Sequence, residues 1–158
     1  MRATKTGVFT DRLSEESRHS SANNLKMIVR ICLSNGARWS EAEKLKRSQI
    51  GAGKVTFIKT KGKRNRSIPL DPKIIAELPK KNGPLFSPCY YAFRSALERV
   101  GIELPAGQLT HVLRHTFVSC FMMNGGNILV LQRILGHTDI KMTMCYAHFA
   151  PNHLEEAV

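Results

Sequence analysis

The sequence predicts an α+β domain, mainly α: helices gathered around one small antiparallel β-hairpin. Three observations carry this. Apolar residues follow three- and four-residue spacing from Leu25 to Cys32, and cap signals start further helices along the chain. Alternating and β-branched residues are confined to one stretch, 54–69. Proline and glycine fall where helices begin or stop rather than inside them. With 158 residues and 42% apolar side chains the chain can bury one core. The expected organisation is a basic arm or linker remnant over 1–20, a folded domain over 21–150 and a tail over 151–158.

Taken in order, Leu25, Ile28, Val29 and Cys32 follow helical spacing, and Gly36 breaks that helix. Ser40, with Glu43 three residues on, reads as a capping box for a short helix to about Lys46, with Arg38 in the turn ahead of it. Residues 54–59 and 65–69 read as the two strands of the hairpin, with Lys61-Gly62-Lys63 at a basic tip. Asp71-Pro72 and Ser87-Pro88 each pair an N-cap with a proline at the first helical position, starting helices to about Leu78 and Val100. Thr110 caps a helix to about Met123, and Gly125-Gly126 ends it. Asn127 caps the next, which stops at Gly136. A last helix starts at Thr138 and includes Tyr146; Pro151 interrupts it.

Charge narrows the function. The chain carries 24 Lys and Arg against 12 Asp and Glu, a formal net of +12. A single domain with such a field draws polyanions, so nucleic acid is the expected partner. A ribosomal or other RNA-binding domain has the same balance. The four cysteines, Cys32, Cys89, Cys120 and Cys145, show no C-x-x-C spacing and read as reduced thiols of a cytoplasmic protein. There is no secretory signal and no apolar run long enough to span a membrane.

Six polar residues spread along the chain carry the chemistry: Arg38, Lys61, His111, Arg114, His137 and Tyr146. Two arginines, a lysine and two histidines can surround one phosphate, and a tyrosine hydroxyl can attack it without a metal ion. His111, Arg114, His115 and Val118 share one helical face, while Leu113, Phe117, Cys120 and Phe121 are expected to face the core. Each residue alone has a plain reading. His-x-x-Arg is a solvated helix end, His137 a cap, Tyr146 a core aromatic, Arg38 a surface arginine and Lys61 one of several hairpin lysines. A metal site built on His111 and His115, with His137 and His148 in reserve, is disfavoured because its surroundings are basic and H-E-x-x-H is absent.

In this order and with these neighbours the six resemble the catalytic set of the tyrosine recombinase (phage integrase) family, in its C-terminal catalytic domain and in the style of temperate-phage integrases. The matching strings are Asn35-Gly36-Ala37-Arg38-Trp39-Ser40-Glu41, then Thr60-Lys61-Gly62-Lys63 with Ile68-Pro69-Leu70. Next come Leu109-Thr110-His111-Val112-Leu113-Arg114-His115-Thr116-Phe117, then Leu131-Gln132-Arg133-Ile134-Leu135-Gly136-His137, and last Tyr146-Ala147-His148. The resemblance covers roughly 25–151 and departs at Asn35, where the family usually has Thr, and at Cys145.

The resemblance implies a catalytic domain over 21–150 that needs no cofactor and no metal. Tyr146 attacks the scissile phosphorus and forms a 3′-phosphotyrosyl link, which keeps the bond energy for rejoining. Arg38 and Arg114 clamp the non-bridging oxygens. Lys61 protonates the departing 5′ oxygen, with Lys63 and Arg64 as alternatives. His111 assists proton transfer from the tyrosine or holds the phosphate, and His137 donates to a phosphate oxygen. Glu41 orients Arg38 or its neighbours, a plain capping role being the alternative, and His115 is a buttress. Lys59, Lys61, Lys63 and Arg64 contact DNA.

The implied partners are double-stranded DNA at attachment sites, a homo-tetramer on that DNA and accessory host or phage DNA-bending and directionality factors. Exchange of C-terminal tails through His148, Phe149 and Leu154 is implied too, a self-docked tail being the alternative. The implied compartment is the bacterial host cytoplasm, with no membrane. Full recombinases of this kind carry an N-terminal DNA-gripping domain, so this polypeptide alone is expected to bind weakly. Two other readings stay open: a type IB topoisomerase, which shares the chemistry, and a non-catalytic basic DNA-binding module.

Overall fold

The computed structural model describes residues 20–58 and 65–151. Helix α1 (Ser20–Asn35) runs through the middle. Its Leu25, Met27, Ile28, Val29, Ile31 and Cys32 are all buried. A helix apolar around most of its circumference must be enclosed. Here α2 (Trp39–Glu43), α3 (Pro72–Glu77), α4 (Tyr90–Arg99) and α5 (His111–Met123) pack around it. Each fully buried Ile or Leu contributes about 1.5–3 kcal/mol, so this helix anchors the larger core cluster. Trp39 stacks on Phe93 at 4.8 Å between ring centroids and ties α2 to α4.

The turn from α1 to α2 is fixed by one glycine. Gly36 has φ +65°, and a Cβ there would lie 2.6 Å from Phe117 Cδ1 and 3.2 Å from Leu135 Cδ2. Both the left-handed backbone and the close approach demand glycine. Asn35 closes the turn through Oδ1, which accepts from the Ala37 amide at 3.1 Å. Arg38 then occupies the N-cap of α2. The expected Ser40–Glu43 capping box does not form. Glu41 takes that role by accepting from the Arg38 amide at 2.8 Å, and α2 ends at Glu43 rather than near Lys46. Glu43 instead accepts from the Cys89 amide at 2.7 Å, at the entry to α4.

The sheet has three antiparallel strands in the order β1-β2-β3: β1 (Ile50–Gly51), β2 (Lys54–Phe57) and β3 (Arg66–Pro69). The hairpin read from the sequence is β2 with β3, in register Val55↔Ile68 and Phe57↔Arg66. Its tip, with Lys59, Lys61, Lys63 and Arg64, lies outside the described residues. Strand β1 was not foreseen. It joins β2 through Ala52 (φ +48°) and Gly53 (φ +72°), a two-residue turn with both residues left-handed, where Ala is an unusual first residue.

Helix α3 starts at Pro72 as expected, with Asp71 accepting from the Lys73 amide at 2.8 Å. Helix α4 begins at Tyr90, two residues past the Ser87-Pro88 signal, because Cys89 is held outside it by Glu43. Thr110 stands at the N-cap of α5 but makes no side-chain cap. Asn127 does cap α6 (Ile128–Leu135), accepting from the Leu129 and Val130 amides at 2.8 and 3.2 Å. Gly136 (φ +65°) ends α6 in a Schellman turn, with its amide on the Arg133 carbonyl and the His137 amide on the Gln132 carbonyl.

The long last helix expected from Thr138 through Tyr146 is instead α7 (Lys141–Met144), followed by a 3-10 turn, Ala147–Phe149. Tyr146 sits at the junction. Asp139 supplies the turn ahead of α7, accepting from the Lys141 amide at 2.9 Å. A smaller core cluster of Val118, Met122, Leu131 and Leu135 joins α5 to α6, and Phe117, Phe121, Tyr146 and Phe149 pack against it. The buried face of α5 is therefore Leu113, Arg114, Val118 and Met122. Phe117, Cys120 and Phe121, expected in the core, are only half-buried. Phe149 docks on its own domain, while 152–158 with Leu154 lie outside the described residues. No described helix is long and apolar enough to cross a membrane.

Candidate active site

Arg38, His111 and Arg114 line one cleft, together with Trp39, Ser40, Tyr90 and Thr110. Three elements bring them there: the α1–α2 turn, the first turn of α5 and the start of α4. His111 is exposed at the first position of α5, and Arg114 is buried one turn on.

Arg114 is held by the ends of two helices. Nη1 donates to the Gly36 carbonyl at 2.9 Å, and Nη2 donates to the Leu135 carbonyl at 2.8 Å. Carbonyls at helix C-termini have no partner within their own helix and carry partial negative charge, so a cation suits them. Nη2 also lies 3.1 Å from His137 Nε2. Three of the five guanidinium hydrogens are thus committed among the described residues, and Nε–H and the second Nη1 hydrogen are left for an anion. Burial lowers the Arg114 pKa to about 10, with Arg38 and Arg66 adding to that and Glu41 and Tyr146 opposing it. That lies well above 7, so Arg114 stays charged.

Glu41 is the carboxylate among these guanidiniums. Arg66 grips both of its oxygens, Nη1 to Oε1 at 2.8 Å and Nη2 to Oε2 at 2.6 Å. Arg38 reaches Oε1 through Nη1 at 3.3 Å. Burial alone would raise the Glu41 carboxyl. The hydrogen bonds from Arg66 and the Arg38 amide and the charges of both arginines outweigh it and hold it at about 2. Glu41 thus bonds both the Arg38 amide at the start of α2 and the Arg38 guanidinium. Arg66 itself is buried, with its guanidinium 4.8 Å from the Phe57 ring centroid.

His137 follows the Gly136 turn, and its Nδ1 lies 2.9 Å from Thr143 Oγ1. Thr143 is fully buried. Its carbonyl accepts from the Tyr146 amide at 3.0 Å. The Tyr146 hydroxyl lies 3.1 Å from His115 Nδ1. Burial, with His111 and Arg114, pushes the His115 pKa down, which favours the neutral ring. Burial and Cys145 push the Tyr146 phenol up, against the pull of Arg114. The imidazole bonded to the tyrosine is thus His115, read from the sequence as a buttress, and not His111.

Arg38, His111 and Arg114 therefore share a cleft, His137 joins them through Arg114, and Tyr146 joins through His115, the neighbour of Arg114 on α5. Lys59, Lys61, Lys63 and Arg64 lie outside the described residues. Sequence reasoning missed Arg66 and Thr143. Arg66 had a signal, since it alternates with Ile68 and Leu70, both buried. Thr143 had none. Chemically, the assembly can bind a tetrahedral anion through guanidinium donors and present a phenol beside an imidazole.

A family profile described as the phage integrase family matches residues 87–153. The integrase of Escherichia phage 186 is 67% identical over 147 residues, covering 92% of this chain and 44% of that protein. The integrase of Haemophilus phage HP1 (strain HP1c1) is 60% identical over 147 residues, covering 93% and 44%. The chain thus spans under half the length of these relatives. The solved catalytic domain of bacteriophage HP1 integrase superposes with a TM-score of 0.85 at 57% identity, covering 94% of this chain and 88% of that one.

Proposed function

The chain belongs to the phage integrase family, and on that premise we propose that it is the catalytic domain of a site-specific DNA recombinase that cuts and rejoins strands through Tyr146. The observation that carries this is the convergence of Arg38, His111 and Arg114 on one cleft, with His137 bonded to Arg114 and Tyr146 to the adjacent His115.

In this reading the scissile phosphate enters the cleft. Arg38 and Arg114 offset the charge that builds on its non-bridging oxygens in the pentacoordinate transition state. The Tyr146 oxygen attacks phosphorus, its proton passes to His115, and the bond to the 5′ oxygen breaks. Lys61 protonates that leaving oxygen, with Lys63 and Arg64 as alternatives. The 3′-phosphotyrosyl link stores the ester for rejoining. Substrate is double-stranded DNA, and binding weakens steeply with salt, as the net charge of +12 requires. Assembly as a tetramer on attachment sites, accessory bending and directionality factors, and action in the host cytoplasm complete the reading. The topoisomerase and binding-module alternatives are not favoured, because the relatives are named integrases.

The test is a suicide DNA substrate that traps the covalent adduct. Wild type forms a protein–DNA species, mass spectrometry finds the link on Tyr146, and Tyr146→Phe forms none while binding DNA as before. An adduct in Tyr146→Phe, or none in wild type, rejects the assignment.

A further inference from the structure

The hydrogen bonds around His137 fix where its proton sits. Arg114 Nη2 can only donate, and it lies 3.1 Å from His137 Nε2. Nε2 therefore accepts and carries no hydrogen. An imidazolium would set an N–H against a guanidinium N–H. The ring hydrogen is then on Nδ1, which donates to Thr143 Oγ1 at 2.9 Å. A ring protonated this way cannot donate to a phosphate oxygen through Nε2.

We propose that Thr143 is a positioning residue that sets the tautomer of His137, and that an anion in the cleft reverses that tautomer. This rests on the phosphate reading of the cleft. When the anion takes, besides the hydrogens Arg114 leaves free, the one now given to Nε2, the ring takes up one proton from water at Nε2 and returns one to water from Nδ1. The charge of the ring is unchanged. A hydroxyl both donates and accepts, so Thr143 then turns its hydrogen toward Nδ1, and Nε2–H points to the anion. Thr143 is fully buried, in α7, so its hydroxyl is shielded from competing water. Its carbonyl holds the Tyr146 amide at 3.0 Å, so the residue that orients His137 also seats the tyrosine.

Nitrogen-15 NMR of the histidine-labelled full chain reads the tautomer directly. In free wild type, His137 is expected to show Nδ1 protonated and Nε2 bare. Inorganic phosphate, added until the shifts saturate, is expected to invert the pattern. Thr143→Val matches the shape of threonine but neither donates nor accepts, so it should leave His137 as a tautomer mixture. Thr143→Ser should restore wild-type behaviour. On the suicide substrate Thr143→Val should slow adduct formation at saturating DNA by roughly tenfold or more, the scale of losing a hydrogen-bonded orienter of a histidine, with Thr143→Ser recovering most of it. Nε2–H in the free wild-type protein, no inversion by phosphate, or an unaltered adduct rate in Thr143→Val would each overturn the proposal. The tautomer reading needs no cleavage, so a wild type that forms no adduct rejects the recombinase function and leaves the tautomer assignment to stand or fall by NMR.

Discussion

Replacing Glu41 with Gln tests the electrostatic frame of the cleft. The substitution keeps the shape and leaves an amide oxygen to accept from the Arg38 backbone. It removes the charge that Arg66 grips at 2.8 and 2.6 Å and Arg38 at 3.3 Å. Glu41 has only 17% of its side chain exposed and Arg66 6%, so solvent screens the pair weakly. The carboxyl is held at about 2 against an ordinary 4.5, which corresponds to about 3 kcal/mol of charge-dependent stabilisation. Leaving a buried cation without its partner costs about 3–5 kcal/mol, so the two routes agree. Because the folded carboxyl ionises below the unfolded one, this stabilisation is complete above about 4.5 and disappears as pH falls towards 2. Urea unfolding at pH 7 should therefore show Glu41→Gln less stable by about 3 kcal/mol. Wild type should lose a comparable amount between pH 5 and 2, and the variant should lack that part of the acid dependence. A variant within about 1 kcal/mol of wild type at pH 7, the range of an ordinary exposed pair, would refute the argument.

Gly36→Ala forces a side chain into a left-handed backbone and against Phe117 and Leu135. Together these should cost about 2–4 kcal/mol in chemical denaturation, and the substitution should slow adduct formation too, since the Gly36 carbonyl holds Arg114. His115→Gln should reduce the single-turnover cleavage rate by about 10²-fold, the scale of one positioned proton acceptor, and more than His111→Gln does. The opposite ranking would return the proton-accepting role to His111.

Much of the fold was legible because its signals are local. Gly36, Asp71-Pro72, Asn127 and Gly136 each punctuate the chain through backbone geometry that side-chain chemistry dictates. The errors arose where a distant partner won. Glu43 reads as part of a capping box until Cys89 claims it from 46 residues away. Tyr146 reads as helical until the chain tightens into a 3-10 turn and packs Phe149 on the Val118 cluster. The polar groups of the cleft could be picked out by residue type and order. Which groups hold them could not, because the ties from Arg66 to Glu41, Thr143 to His137 and His115 to Tyr146 are made by tertiary packing.

Arg114 rivets the joint between α1 and α6 as well as facing the cleft. In the proposed reading one guanidinium thus serves as reagent and as architecture. Alanine scanning at this position will inflate its apparent share of the chemistry, since a weakened joint also misplaces Arg38 and His137. Only a variant whose melting is matched to wild type can separate the two contributions. The same coupling means that a mutant surviving at Arg114 would need compensation at both helix ends before any new reactivity could be read from it.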